Sequence, residues 1–148
     1  EIDQLAALQK WGQAICEQLE ANMRVQHPVE TQLQGVHGVI ISDAPQSNGA
    51  HLRSVTILAN GQIVRSPCGA STAARLASLY QLRQVHIGEA FVHEGIVGSQ
   101  CTGIVTGTTK VREWEAVVPR IEGRAFVTGL HQFVVDPEDP LADGFLLG

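Results

Sequence analysis

A cysteine flanked by proline and glycine, Ser66-Pro67-Cys68-Gly69, is the arrangement in this sequence best suited to chemistry. Proline suits the first turn of a helix, glycine lets backbone approach closely, and an Ala-rich stretch of helical spacing follows at once. A thiol at the start of a helix lies where the aligned peptide dipoles amount to roughly half a positive charge. That favours thiolate over thiol and can lower its pKa by about one unit or more from about 8.5. The unpaired N–H groups of the same first turn, from Gly69 through Ala70 and Ser71 to Thr72, can hold a carboxylate. A proton-transfer group beside an anion cradle is what removal of the α-proton of an amino acid requires. The competing reading is an inert buried thiol at a tight turn, and local pattern alone leaves both open.

Other candidates for chemistry are weaker. Cys16, Cys68 and Cys101 stand at wide spacings that suit neither a disulfide framework nor a zinc knuckle. Cys16 lies beside an apolar helical stripe and reads as a small buried hydrophobe; Cys101 reads as packing within a strand. The histidines, His27, His37, His51, His86, His93 and His131, are scattered, with no i, i+4 pair of the zinc-enzyme kind, so no metal is expected. The glycines form no Gly-x-Gly-x-x-Gly string, and no nucleotide cofactor is expected. The formal charge of -5, without any one-sided basic patch, argues against nucleic acid as a partner. No run of about eighteen apolar residues and no basic-then-apolar leader occurs, so no membrane association is expected and a cytoplasmic location is.

The elements that must position Cys68 follow from periodicity. With 148 residues and 44% hydrophobic content, the chain can bury a core of its own. Ile2, Leu5, Leu8, Trp11, Ile15, Leu19 and Met23 fall at steps of three and four, predicting a helix from Ile2 to Val25 closed by His27-Pro28. Strands are predicted over Val36 to Ser42, Leu52 to Ala59 and Gln62 to Val64, with Asn60-Gly61 as a two-residue hairpin turn. Ala73, Ala74, Leu76, Ala77, Leu79 and Leu82 describe a helix apolar nearly all round, hence one enclosed by other elements. Gly88 to Val97, Cys101 to Thr106, Trp114 to Val118 and Arg124 to Val135 are further Val- and Thr-rich strands. The sum is an α+β fold, a curved sheet wrapped around the Ala-rich helix.

Arg65-Ser66-Pro67-Cys68-Gly69, followed by Thr72, Ala74-Arg75 and Ala77, resembles the second cysteine motif of the proline racemase family. Val92-His93-Glu94 with Ile96-Val97-Gly98-Ser99 and Thr102-Gly103 resembles the family's strand pair. Gly123-Arg124-Ala125, Thr128-Gly129, His131-Gln132-Phe133, Asp136-Pro137-Glu138-Asp139-Pro140 and Gly144-Phe145 resemble its carboxy-terminal signature. The resemblance implies a diaminopimelate epimerase-like fold, in which two domains each offer one cysteine to a cleft between them. One thiolate takes the α-proton of proline or hydroxyproline and the other thiol returns a proton to the opposite face, with no cofactor. By this resemblance residues 1–122 form the second, carboxy-terminal domain. The segment 123–148 is expected to return to a first domain that this chain lacks, leaving Phe126 and Phe133 exposed. The family's Cys-Gly-His motif is absent, so an amino-terminal domain or a partner chain, a homodimer being one such arrangement, would have to complete the site, and the isolated chain is expected to be inactive.

Departures from the family pattern bear on the substrate, a small amino or imino acid. Val64 stands where an aspartate usually helps hold the substrate amine, Ala70 and Ser71 replace a Thr-Gly pair, and Cys101 replaces a phenylalanine. The expected function is a proline or hydroxyproline racemase or 2-epimerase. A trans-3-hydroxyproline dehydratase of the same family is the alternative, together with a non-catalytic binding fragment. A thiol hydrolase with Cys68 as nucleophile and His93 or His131 as base has no supporting spacing.

Overall fold

The computed structural model describes residues 4–144; Ile2 and Phe145, to which the expectations also extend, lie outside the described residues. In chain order the elements are α1 (Leu5–Asn22), β1 (Gly38–Asp43), β2 (Leu52–Leu58), β3 (Ile63–Val64), α2 (Gly69–Gln81), β4 (Ala90–Gly95), β5 (Gln100–Val111) and β6 (Trp114–Glu122). The strands make one curved, open sheet in the order β1-β2-β4-β5-β6, with β3 also on β2, so the fold is α+β as expected. Neighbours are antiparallel except β2 and β4, which run parallel because β3 and α2 intervene as a crossover.

Strand β2 organises the molecule because its alternate residues face different helices. Val55 and Ile57 join Ile96 in a core beneath α1, where Leu5 and Leu8 pack on them. Burying each such aliphatic side chain is worth roughly 1.5–3 kcal/mol, which holds α1 to the sheet. Gly12 lets the helix come this close: a Cβ there would lie 2.7 Å from the Ile57 side chain. On the opposite face, Leu52 joins the second core of Leu76, Val85, Phe91 and Val105 beneath α2.

The face of α1 turned to the sheet runs through the half-buried Leu5 and Leu8, which the predicted stripe contains, and then through the buried Gly12 and Cys16 instead of Trp11 and Ile15. Trp11 is 62% exposed, whereas Cys16 is buried as expected. Close packing chose the small residues, which the apolar count overlooks. The helix also stops at Asn22, before His27-Pro28. Helix α2 starts earlier than its apolar residues suggest, at Gly69, and is buried on one side only, through Ser71, Thr72 and Leu76. Its Ala70, Ala74, Ala77 and Ser78 side is exposed, so this helix is not enclosed within the chain.

The Asn60-Gly61 turn holds three residues instead of two. Leu58 receives the Gly61 N–H at 2.8 Å and Gly61 takes φ +83°, the left-handed conformation open to glycine. The predicted strand from Arg124 to Val135 does not form. That stretch lacks regular structure and is exposed, with Phe126, Leu130 and Phe133 in solvent and Phe133 91% accessible. A Val-rich run becomes a strand only where a sheet edge receives it. Among the described residues no helix is long and apolar enough to cross a membrane.

Candidate active site

The Ser-Pro-Cys turn fills the point where β3 and β4 part. Both strands lie along β2, β3 beside Thr56 and Ile57 and β4 beside Leu52 to Ser54. The turn's backbone rests on the end of β4: a Cβ at Gly95 would stand 3.0 Å from the Arg65 carbonyl oxygen and the Pro67 nitrogen. Cys68 then occupies the N-cap position of α2 with φ 63° and ψ 124°. Such a conformation costs a non-glycine residue on the order of 1–3 kcal/mol and persists only where its surroundings determine it. Here the Cys68 carbonyl accepts two hydrogen bonds from Thr72, from the N–H at 2.9 Å and from Oγ1 at 2.8 Å.

This geometry turns the amino-terminal amides of α2 toward sulfur. Partial burial pushes the Cys68 thiol up. The Ser71 hydroxyl, then the Ser71 and Ala70 amides, outweigh it and hold the thiol below its ordinary 9.0. Thr72 cannot serve as expected in the anion cradle, because its amide is engaged in the first helical hydrogen bond. The amides of Gly69, Ala70 and Ser71 precede that bond, and those of Ala70 and Ser71 serve the sulfur. Ser71 is fixed in turn by Thr56, whose Oγ1 lies 2.8 Å from its Oγ. Val64 pairs directly with Thr56, so its side chain shares that face of the sheet and brings hydrocarbon to the site's edge.

Beneath the turn lies a polar cluster that sequence reasoning did not assemble. His93 is 0% exposed; its Nε2 is 2.6 Å from Ser54 Oγ and its Nδ1 2.8 Å from Thr72 Oγ1. Burial, aided by the Arg75 charge, lowers its pKa below 6.5 and keeps the imidazole neutral. Cys101 lies within 3.2 Å of the same Thr72 hydroxyl, and its thiol is raised by burial and by Cys68. Cys101 therefore does more than pack. The alternation in Phe91-Val92-His93-Glu94 was the available signal, since it puts His93 on the α2 side with Phe91.

No hydrogen bond links His93 to the Cys68 sulfur, and His131 is exposed, stacked on Phe133. Neither histidine is placed as the base of a thiol hydrolase. Among the described residues no group of three or more His, Cys, Asp or Glu could hold a metal ion.

The family profile described as Proline racemase matches residues 1–146. The chain belongs to the proline racemase family. Its relatives include a trans-3-hydroxy-L-proline dehydratase of Bacillus thuringiensis subsp. konkukian, 50% identical over 148 residues, covering 100% of this chain and 44% of that protein. A proline racemase of Acetoanaerobium sticklandii is 42% identical over 145 residues, covering 98% of this chain and 43% of its own. Among solved structures, a hydroxyproline epimerase from Agrobacterium vitis with bound trans-4-hydroxy-L-proline is 35% identical, with a TM-score of 0.81, and covers 99% of this chain and 42% of that one. The chain thus spans less than half the length of the proline racemase family members it matches.

Proposed function

We propose that this chain is the Cys68-bearing part of a cofactor-independent racemase or 2-epimerase acting on proline or hydroxyproline. The supporting observation is the Cys68 thiol, held below its ordinary pKa by Ser71 and Ala70 at the start of α2. In the reaction, one thiolate takes the α-proton and leaves a carbanion conjugated with the carboxylate. A second thiol on the opposite face returns a proton, inverting the centre. Charge building on the carboxylate is met by the amides of Gly69, Ala70 and Ser71. The second thiol comes from a domain or chain beyond this one, and the chain alone is inactive. The segment from Gly123, with Phe126, Leu130 and Phe133 exposed, is read as the part that packs against that domain.

A second reading, dehydration of trans-3-hydroxy-L-proline, is supported by the 50% identity to a protein of that name, against 42% to a proline racemase. There Cys68 takes the α-proton, the C2=C3 bond forms, and the 3-hydroxyl leaves with a proton as water. A binding-only role draws on Val64, which puts hydrocarbon where a carboxylate would meet the substrate amine.

The test is incubation of the whole protein with each imino acid in heavy water. Solvent deuterium in inverted product supports the racemase or epimerase, and loss of hydroxyl as water supports the dehydratase. If no α-deuterium enters any imino acid and no hydroxyl is lost as water, both enzymatic readings fail. Cys68→Ala is expected to lower the exchange rate on the order of 10²- to 10⁴-fold.

A further inference from the structure

The hydrogen-bond partners of Thr72 fix a proton arrangement that reaches from the sheet to the proposed base. Thr72 Oγ1 carries one proton and two lone pairs and has three partners: the Cys68 carbonyl at 2.8 Å, His93 Nδ1 at 2.8 Å and Cys101 Sγ at 3.2 Å. A carbonyl can only accept, so the Thr72 proton goes to Cys68. His93 Nδ1–H and the Cys101 S–H must then donate to Thr72. His93 Nε2 is left as acceptor for the Ser54 hydroxyl, 2.6 Å away. The tautomer with its proton on Nε2 would claim the Thr72 proton for Nδ1 and strip the Cys68 carbonyl of that bond.

We propose that His93, neutral and protonated on Nδ1, is a positioning residue: through Thr72 it locks the Cys68 carbonyl, and so the left-handed backbone that aims the thiol at the Ala70 and Ser71 amides. His93 does not touch the thiol and acts on it only through Thr72. Its burial and the Arg75 charge keep it neutral, and the neighbouring Cys101 stays a thiol and a donor. The inference rests on the reading of Cys68 as the acid–base group, and its test needs no substrate.

The tautomer can be read directly from the ¹⁵N resonances of the His93 ring in the folded protein. A protonated Nδ1 with an unprotonated Nε2 is expected, and the reverse would overturn the proposal. The consequence for Cys68 is read from iodoacetamide alkylation against pH, followed at the Cys68 peptide by mass spectrometry, with thermal melts alongside. His93→Asn places an amide donor near the Nδ1 position and is expected to stay within about threefold of the parent rate at pH 7. His93→Gln, whose amide lies nearer Nε2, and Thr72→Val, which removes the relay, should each raise the alkylation midpoint by about one unit and slow the reaction about tenfold. Should Thr72→Val or His93→Gln fold and keep the parent midpoint, the positioning role is refuted while an acidic Cys68 stands. An ordinary midpoint in the parent would instead defeat the reading of Cys68 itself.

Discussion

The two faces of β2 are built from one stretch of seven residues and do opposite work. Toward α1 it presents Val55 and Ile57, which bury hydrocarbon against Leu5, Leu8 and Ile96. Toward α2 it presents Ser54 and Thr56, which are almost as buried yet spend their hydroxyls on His93 and Ser71. A buried hydroxyl contributes little net stability, about 0.5–1.5 kcal/mol per hydrogen bond, but it specifies direction where hydrocarbon does not. The α1 face therefore holds the sheet together, and the α2 face orients the cysteine.

Substitutions can break this division, and the largest effect is expected on the apolar face. Ile57→Ala should lower stability by about 2–5 kcal/mol in denaturant titration, through lost burial and a cavity under α1. The alkylation midpoint of Cys68 should not move while the protein stays folded. Gly12→Ala drives a Cβ into Ile57 and should cost about 1–3 kcal/mol, again without touching the thiol. A shift of the Cys68 midpoint in either variant would show the faces to be coupled.

The polar face should answer in the reverse sense. Thr56→Val removes the partner that fixes the Ser71 hydroxyl, with a stability loss of about 0.5–1.5 kcal/mol. Its clearer effect is a higher alkylation midpoint at Cys68, because Ser71 then holds the thiolate less well. A midpoint equal to the parent's would mean that Thr56 is merely structural.

The mildest test is pH. Folded His93 resists a proton that the unfolded chain accepts near 6.5, so its contribution is complete above that value and is lost as pH falls below it. Glu94 adds a second decline further down. Burial raises this carboxyl, but the Gln46 and Ser47 amides, the Ser47 hydroxyl and Arg53 outweigh that and hold it below 4.5. Stability measured by urea titration is expected to fall in two stages as pH drops, the first below about 6.5 as His93 takes up a proton and the second below about 4.5 as Glu94 does. His93→Asn should remove the first stage and spare the second.

Much of the fold was legible because its cues are local. The Asn60-Gly61 turn, the Val-Ile-Ile run of β1 and the proline before Cys68 each act within a few residues. The buried line of α1 was partly misread because Gly12, which carries no hydrophobicity, marks the closest approach to the sheet. The run from Arg124 to Val135 was misread because strand propensity is realised only against a partner strand, and none reaches it. Within the site, Cys68, Gly69, Ala70 and Ser71 form one continuous segment, so their grouping was visible, while the loss of the Thr72 amide to Cys68 was not.

By itself the sequence determined that a thiol stands at a helix start, since Ser66-Pro67-Cys68-Gly69 directly precedes an Ala-rich helical run. Only the tertiary structure decided what holds that thiol in place. Ser54, Thr72, His93 and Cys101 come from β2, α2, β4 and β5, and no spacing along the chain relates them. A hydrogen bond depends on distance and direction in space, and parallel pairing of β2 with β4 across a crossover brings Ser54 and His93 together from 39 residues apart.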